Sequence, residues 1–208
     1  MRFTLVADGP TDFVLCRHIE WLLKKHVGLV PVEYHCADFR SFRRPPTDLA
    51  SKIRRAVAFY PCDVLFIHRD AEREEPEQRR GEIRTAIGAV RLTVPRVCVI
   101  PVRMTEAWLL FDEGAVRRAA GNPNGAAELE LPHARAETLA NPKDILHKAL
   151  LAACGLSGRR LKKFDLSQAV HRVADYIDDF SPLRALSAFQ VLEDELCAVL
   201  RDHPKLHG

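Results

Sequence analysis

The chain opens on an apolar run, Phe3-Thr-Leu-Val-Ala7, that stops abruptly at Asp8-Gly9. Similar runs recur at 63–68 and 97–102, and a weaker one spans Val30 to Phe39. Short, nearly continuous apolar stretches are what strands covered on both faces look like. The intervening segments change period. Thr11 to Val27 places Leu15, Ile19, Leu22 and Leu23 on one helical face, and Pro10 and Asp12 suit a helix start. Thr47 to Tyr60 carries Leu49, Ile53, Val57 and Tyr60 at helical spacing. Arg73 to Arg80 is strongly charged and reads as exposed, and a helix follows from Glu82 to Arg91 with Ile83, Ile87 and Val90. Thr105 is placed to cap a helix reaching about Ala120, with Trp108, Phe111 and Ala115 on one stripe. Strands alternating with helices predict an α/β fold. Four mainly parallel strands, near 2–7, 32–38, 63–68 and 97–102, should form one helix-flanked sheet with right-handed crossovers.

The pattern changes at Gly121-Asn-Pro-Asn-Gly125, a strong breaker. Beyond it the periodicity is helical, over Pro142–Cys154, Leu166–Ile177 and Pro182–Arg201. The expected organisation is an α/β core at 1–120 and a helical extension at 121–208 packed on it.

Composition narrows the class. With 208 residues, 47% hydrophobic and 28% charged, the chain is an ordinary globular protein and not a disordered one. It contains no apolar run of transmembrane length. Its first residues enter strand-like sequence with no signal-peptide pattern, so the cytoplasm is the expected location. The cysteines at 16, 36, 62, 98, 154 and 197 form no C-x-x-C pair, which removes zinc-ribbon spacing and favours reduced core thiols over a disulfide framework. No H-x-H or H-E-x-x-H motif appears among the histidines.

A net charge of +3 says little about partners, but its distribution says more. Arg40, Arg43 and Arg44 crowd one loop, and Arg159, Arg160, Lys162 and Lys163 crowd another. Such clusters neutralise phosphates or simply sit in solvent, and both readings stand.

The candidate chemistry lies in the acids. Asp8 follows the first predicted strand, Asp70-x-Glu72 the third, and Glu106 the fourth. Open α/β sheets place their sites at this edge. Acids converging there would repel one another, and a divalent cation is the simplest remedy. Asp70 and Glu72, two apart in extended backbone, would face one ion together. Gly9 would let the chain turn tightly after Asp8. Each acid also has a structural reading. Asp8 can cap a helix, Asp12 and Glu106 favour a helix dipole, and Asp70 and Glu72 can pair with Arg69 and Arg73. Lys143 can contact a phosphate or lie exposed. Neither a Walker loop, nor G-x-G-x-x-G after a strand, nor a G-x-S-x-G elbow is present.

A strand ending in an acid plus Gly, with an acidic pair two strands later, resembles the Toprim pattern of topoisomerases, primases and overcoming-lysogenization-defect nucleases. More closely, the chain is similar to the bacterial Toprim-like family called domain of unknown function 4276. The segments that carry the likeness are Val6-Ala-Asp-Gly-Pro-Thr-Asp12, Phe66-Ile-His-Arg-Asp-Ala-Glu72, Pro101-Val-Arg-Met-Thr-Glu-Ala-Trp-Leu-Leu110, Asn141-Pro-Lys143 and Phe180-Ser-Pro182. Two positions depart from the Toprim pattern: Asp8 stands for the usual Glu, and Glu72 for the second Asp. The resemblance implies a Toprim/Rossmann-like fold and a nuclease using Mg²⁺ or Mn²⁺. Asp8, Asp70 and Glu72 would hold the metal, and Glu106 would hold a second ion or act as general base. Arg43, Arg44, Lys143, Arg159 and Arg160 would contact nucleic acid. It also implies an AAA- or ABC-type ATPase partner in phage defence. The alternative is a non-catalytic module that binds nucleic acid or protein. A receiver-like phosphoacceptor at Asp70 ranks last, since the expected acidic pair and a fifth strand are missing.

Overall fold

The computed structural model describes residues 1–203 and Leu206; the other residues at the end of the expected extension lie outside the described residues. Among these residues four strands form one sheet: β1 (Arg2–Val6), β2 (Glu33–Cys36), β3 (Val64–His68) and β4 (Arg96–Val99). Their order is β2-β1-β3-β4 and every pairing is parallel. From β1 the chain steps first to one side, to β2, and then to the other, to β3 and β4. The carboxyl ends of β1 and β3 therefore flank the point where the winding reverses, which is where open α/β sheets bind ligands.

Among the described residues eight α-helices surround the sheet: α1 (Leu15–Val27), α2 (Leu49–Phe59), α3 (Pro76–Gly88), α4 (Glu113–Ala119), α5 (Pro142–Cys154), α6 (Gly158–Leu161), α7 (Leu166–Tyr176) and α8 (Ser187–Asp202). Strand alternation sorts the core into two layers. Phe3, Leu5, Val64, Phe66, Val97 and Val99 face α1 and the helices of the extension. Val6, Leu65, Ile67 and Cys98 face α2 and α3, where Ile53, Ala56 and Ile83 meet them. The first layer continues without a break through Trp108, Leu146, Leu150, Val173, Phe180 and Phe189. Trp108, Phe180 and Phe189 are fully buried, and truncating a side chain of that size in a core costs about 3–5 kcal/mol. Among the described residues no strand follows Val99.

Several elements differ from the sequence reading. The expected first helix begins as a 3₁₀ turn, Pro10–Val14, before α1. β2 keeps only the centre of its apolar run. α3 starts at Pro76, so most of the charged run is helical. Proline at the first position suits that start. Arg79 and Arg80 then anchor it, Arg79 on Glu72 and Glu82 and Arg80 on Glu195. The helix expected from Thr105 to Ala120 divides into a 3₁₀ turn, Thr105–Leu109, and α4, because Asp112 accepts the Ala115 amide and starts a new helix. The expected helix at Pro182–Arg201 likewise divides into a 3₁₀ turn, Ser181–Ala185, and α8. The basic segment 158–161 is a short helix, α6.

The extension also finishes the sheet. Glu195 of α8 accepts the backbone N–H of Cys98 on edge strand β4 at 2.9 Å, and its other oxygen binds Arg80. α7 packs on the Pro10–Val14 turn and α5 on the Thr105–Leu109 turn. Both turns carry acids of the site described next.

Candidate metal centre

β3 supplies the centre of the site. Every residue from Val64 to His68 is buried, and the alternation that points Val64 and Phe66 toward the extension also sends His68 there. His68 Nε2 donates to Asp70 Oδ1 at 3.1 Å. The Thr105 hydroxyl donates to the same oxygen at 3.1 Å and lies 3.2 Å from His68 Nε2. On the other side of the ring, His68 Nδ1 has no hydrogen-bond partner and lies 3.8 Å from Asp12 Oδ2. That Asp12 oxygen accepts the Gly9 amide at 2.9 Å, which fixes its direction. Gly9 itself is extended, with φ −145°, so it supplies an N–H rather than the tight turn expected of it.

One ligand atom from each of Asp12, His68 and Asp70 lies within 4.8 Å of the other two. Among the described residues this is the grouping that could hold a metal ion. A buried ring nitrogen left without a hydrogen-bond partner, 3.8 Å from the Asp12 carboxylate, fits a cation or a proton.

The electrostatics fit the same picture. Burial disfavours a charged His68, but the hydrogen bond and charge of Asp70, with Asp12 and Asp8 beyond, outweigh it and raise its pKa. Asp12 is raised by burial and by the charges of Asp70 and Asp8, against the opposing pull of His68 and the Gly9 amide. Glu106 is buried in the 3₁₀ turn after β4 and is raised by burial and by Asp70 and Asp12. Its own backbone N–H and Lys143 oppose that shift, with Lys143 Nζ at 3.7 Å from Oε1. Acids pushed up beside a histidine pushed up mark a site where negative charge is in excess.

The structure brings Asp70 and Glu106 to this centre, with Lys143 beside them. Asp8 lies at the rim. Its carboxylate pairs with Arg69 at 3.1 Å, and its carbonyl accepts from Lys52 at 2.9 Å. With the Asp8 side chain 42% exposed, that ion pair is worth no more than about 1 kcal/mol, so a cation can compete for the carboxylate. Glu72 does not join the centre. The backbone stops being extended before it: Glu72 has φ 55°, its N–H donates to the Arg103 carbonyl, and Arg103 itself has φ 68°. The side chain turns out to Arg79 at 3.1 Å and is 62% exposed. The expectation that Asp70 and Glu72 face one ion together is therefore corrected.

Sequence reasoning missed His68 and assigned Asp12 only to a helix start. The signal for His68 was its parity with Val64 and Phe66 in a strand with no exposed face. For Asp12 the adjacent turn residues gave no comparable signal.

Two cavities open beside the centre. One, of about 340 Å³, lies between the ends of β1 and β2, with Asp8, Phe13, Phe39, Arg40 and Lys52 among its walls. The other, of about 390 Å³, lies on the β3–β4 side, with Glu72, Arg73, Arg103 and Asn141. Arg43 and Arg44 are exposed in the loop after β2, near the first cavity's Arg40 and Pro45. Arg159 and Arg160 are exposed on α6. Among the described residues no helix is long and apolar enough to cross a membrane.

Comparison with protein-family models, with curated proteins and with solved structures returns no match to this chain.

Proposed function

We propose that this protein is a divalent-metal-dependent phosphodiester hydrolase, a nuclease of Toprim type. The observation that carries the reading is the meeting of Asp12, His68, Asp70 and Glu106 at the sheet's switch point, with Lys143 alongside. Asp12, Asp70 and the free nitrogen of His68 would hold the ion, and Asp8 would reach it once released from Arg69. A mixed carboxylate–imidazole set suits Mn²⁺ at least as well as Mg²⁺, which prefers oxygen alone.

When bound, the ion would polarise a phosphate and lower the pKa of a water. The chain's own groups do the rest. Thr105 fixes the Asp70 carboxylate, and α7 fixes the turn that carries Asp12. Glu106, buried and with its pKa raised by burial, is suited to accept a proton and return it to a leaving oxygen. Lys143, half exposed on the first turn of α5, can meet a phosphate oxygen. Arg43 and Arg44, with Arg159 and Arg160 farther off, would hold nucleic acid by charge. The proposed setting is cytoplasmic, with an AAA- or ABC-type ATPase delivering substrate in phage defence.

Incubation of the purified chain with Mn²⁺ and DNA or RNA, with and without an ATPase encoded beside it, tests the reading. Cleavage should vanish in Asp70→Ala and Asp12→Ala while binding persists. If the parent cleaves neither nucleic acid under any of these conditions, or Asp70→Ala cleaves as well as the parent, the reading fails and a non-catalytic binding module replaces it.

A further inference from the structure

Cys16 and Cys36 play no part in the acid centre, yet they meet where helix packs on sheet. Cys16 lies in the first turn of α1 and Cys36 closes β2, and their sulfurs are 2.6 Å apart. A disulfide bond needs about 2.05 Å, so only a small adjustment separates the pair from bonding distance. The approach is set by the fold. Cys36 pairs with Leu5 in the ladder, the next amide, Ala37, donates back to the Leu5 carbonyl, and Leu15 and Ile19 beside Cys16 are fully buried. The remaining thiols are housed separately. Cys154 donates to the Leu151 carbonyl, Cys197 lies against His26, Cys98 sits on β4, and Cys62 precedes β3.

The two thiols are not equivalent. Cys16 is almost wholly buried, and burial followed by its bond to Cys36 pushes it far up. Cys36 is partly exposed, and its hydrogen bond with Cys16, with help from Arg17, holds it below the ordinary thiol range. Cys36 is thus the accessible, more acidic member, the arrangement in which thiol–disulfide exchange starts at one defined sulfur.

We propose that Cys16 and Cys36 are a modification site that closes to an intramolecular disulfide on exchange with a low-molecular-weight disulfide. In the first step the Cys36 thiolate attacks one sulfur of that disulfide. Its S–S bond breaks, a mixed disulfide forms on Cys36, and one small thiolate leaves. In the second step the Cys16 thiol loses its proton to solvent and attacks the Cys36 sulfur. The Cys16–Cys36 bond forms, and the second small thiolate leaves. Two protein thiols are oxidised by two electrons, and one small disulfide is reduced to two thiols. The new bond ties the start of α1, which directly follows the Asp12 turn, to the strand end that leads into the wall of the cavity beside Asp8. The proposal stands whether or not the acid centre is catalytic.

The test is exchange with oxidised glutathione, followed by alkylation and peptide mapping of the full chain, with thermal melts alongside. In the parent, Cys16 and Cys36 should be recovered joined to each other, and dithiothreitol should free both. The melting temperature of the oxidised parent should rise by roughly 5–10 °C, as expected for closing a loop of this length in a chain of this size. Cys36→Ser should leave Cys16 unmodified and show no such rise. Cys16→Ser should halt at a stable mixed disulfide on Cys36. Because the parent's peptide map is decisive by itself, a misfolded variant does not rescue the idea. Recovery of both cysteines as free thiols, a parent that stops at the mixed disulfide, or Cys36 joined to a different cysteine would overturn it.

Discussion

Glu106 Oε1 lies 3.7 Å from Lys143 Nζ, and this pair joins the carboxyl edge of the sheet to the helical extension. The acid is buried in the turn after β4, and the base stands at the first turn of α5. The extension therefore supplies the cation that opposes the effect of burial on Glu106. In Lys143→Met that opposition disappears. The titration midpoint of the Glu106 carboxyl, followed by carbon NMR, should move to higher pH than in the parent. An unmoved midpoint would show that Lys143 does not act on Glu106.

The same shifts fix the pH dependence of stability. Asp12, Glu106 and His68 all have folded pKa values above their ordinary ones. The folded state then holds protons that the unfolded state gives up first, so stability falls as pH rises. The contributions of the two acids are complete below roughly pH 4, and that of His68 below roughly pH 6.5. Each is lost as pH climbs through the raised folded value. Urea denaturation in metal-free buffer should show stability declining from mildly acidic toward neutral pH. In Asp70→Asn, which removes the main partner of His68, the decline above pH 6 should flatten.

Metal should act in the opposite sense, because a cation needs the deprotonated ligands. At a hundredfold excess over Kd a ligand stabilises by about 2.7 kcal/mol, which for a chain of this size is a melting rise of roughly 5–10 °C. Millimolar Mn²⁺ at neutral pH should produce such a rise in the parent and in Glu72→Ala, and almost none in Asp12→Asn or Asp70→Asn. Equal rises in all four proteins would place the ion elsewhere. A loss confined to Glu72→Ala would restore the carboxylate pair expected from sequence.

Replacing Arg43 and Arg44 together by Ala should weaken binding to a DNA duplex and leave the fold intact, since both are exposed. Each lost phosphate contact should lower the slope of log affinity against log salt by about 0.9. A binding curve with an unchanged slope would mean that the loop after β2 does not touch the backbone.

Glu195→Ala should cost about 1–3 kcal/mol, the penalty for leaving the Cys98 amide of β4 without its acceptor and Arg80 with Glu77 alone. Glu195→Gln keeps an acceptor for the amide and should cost less. Equal melting temperatures for parent and Glu195→Ala would contradict this role.

The sheet was legible because β1, β3 and β4 are short apolar runs ended by acids, and that pattern survives any choice of helix boundary. Asp70 and Glu106 were legible for the same reason. Glu72 was not, because the reading assumed extended backbone and φ is 55° there. His68 was hidden by its type: a polar residue closing an apolar strand looks like the strand's end, while its neighbours Asp12 and Thr105 lie far from it along the sequence. The split of the helix after Thr105 follows from Asp112, whose side chain caps α4. Hydrophobic spacing alone runs across that break. The start of α3 was missed because its anchors, Glu72 and Glu195, are distant partners of Arg79 and Arg80.

The bond from Cys98 to Glu195 also has a meaning in time. The two residues are 97 positions apart, so during synthesis β4 emerges from the ribosome well before the helix that completes its outer edge. Until α8 arrives, a nascent chain displays an edge strand with an unmet amide and an apolar flank, the kind of surface on which chains pair with one another. The α/β half is thus the part made first and protected last. Its safe passage depends on how quickly translation delivers α8.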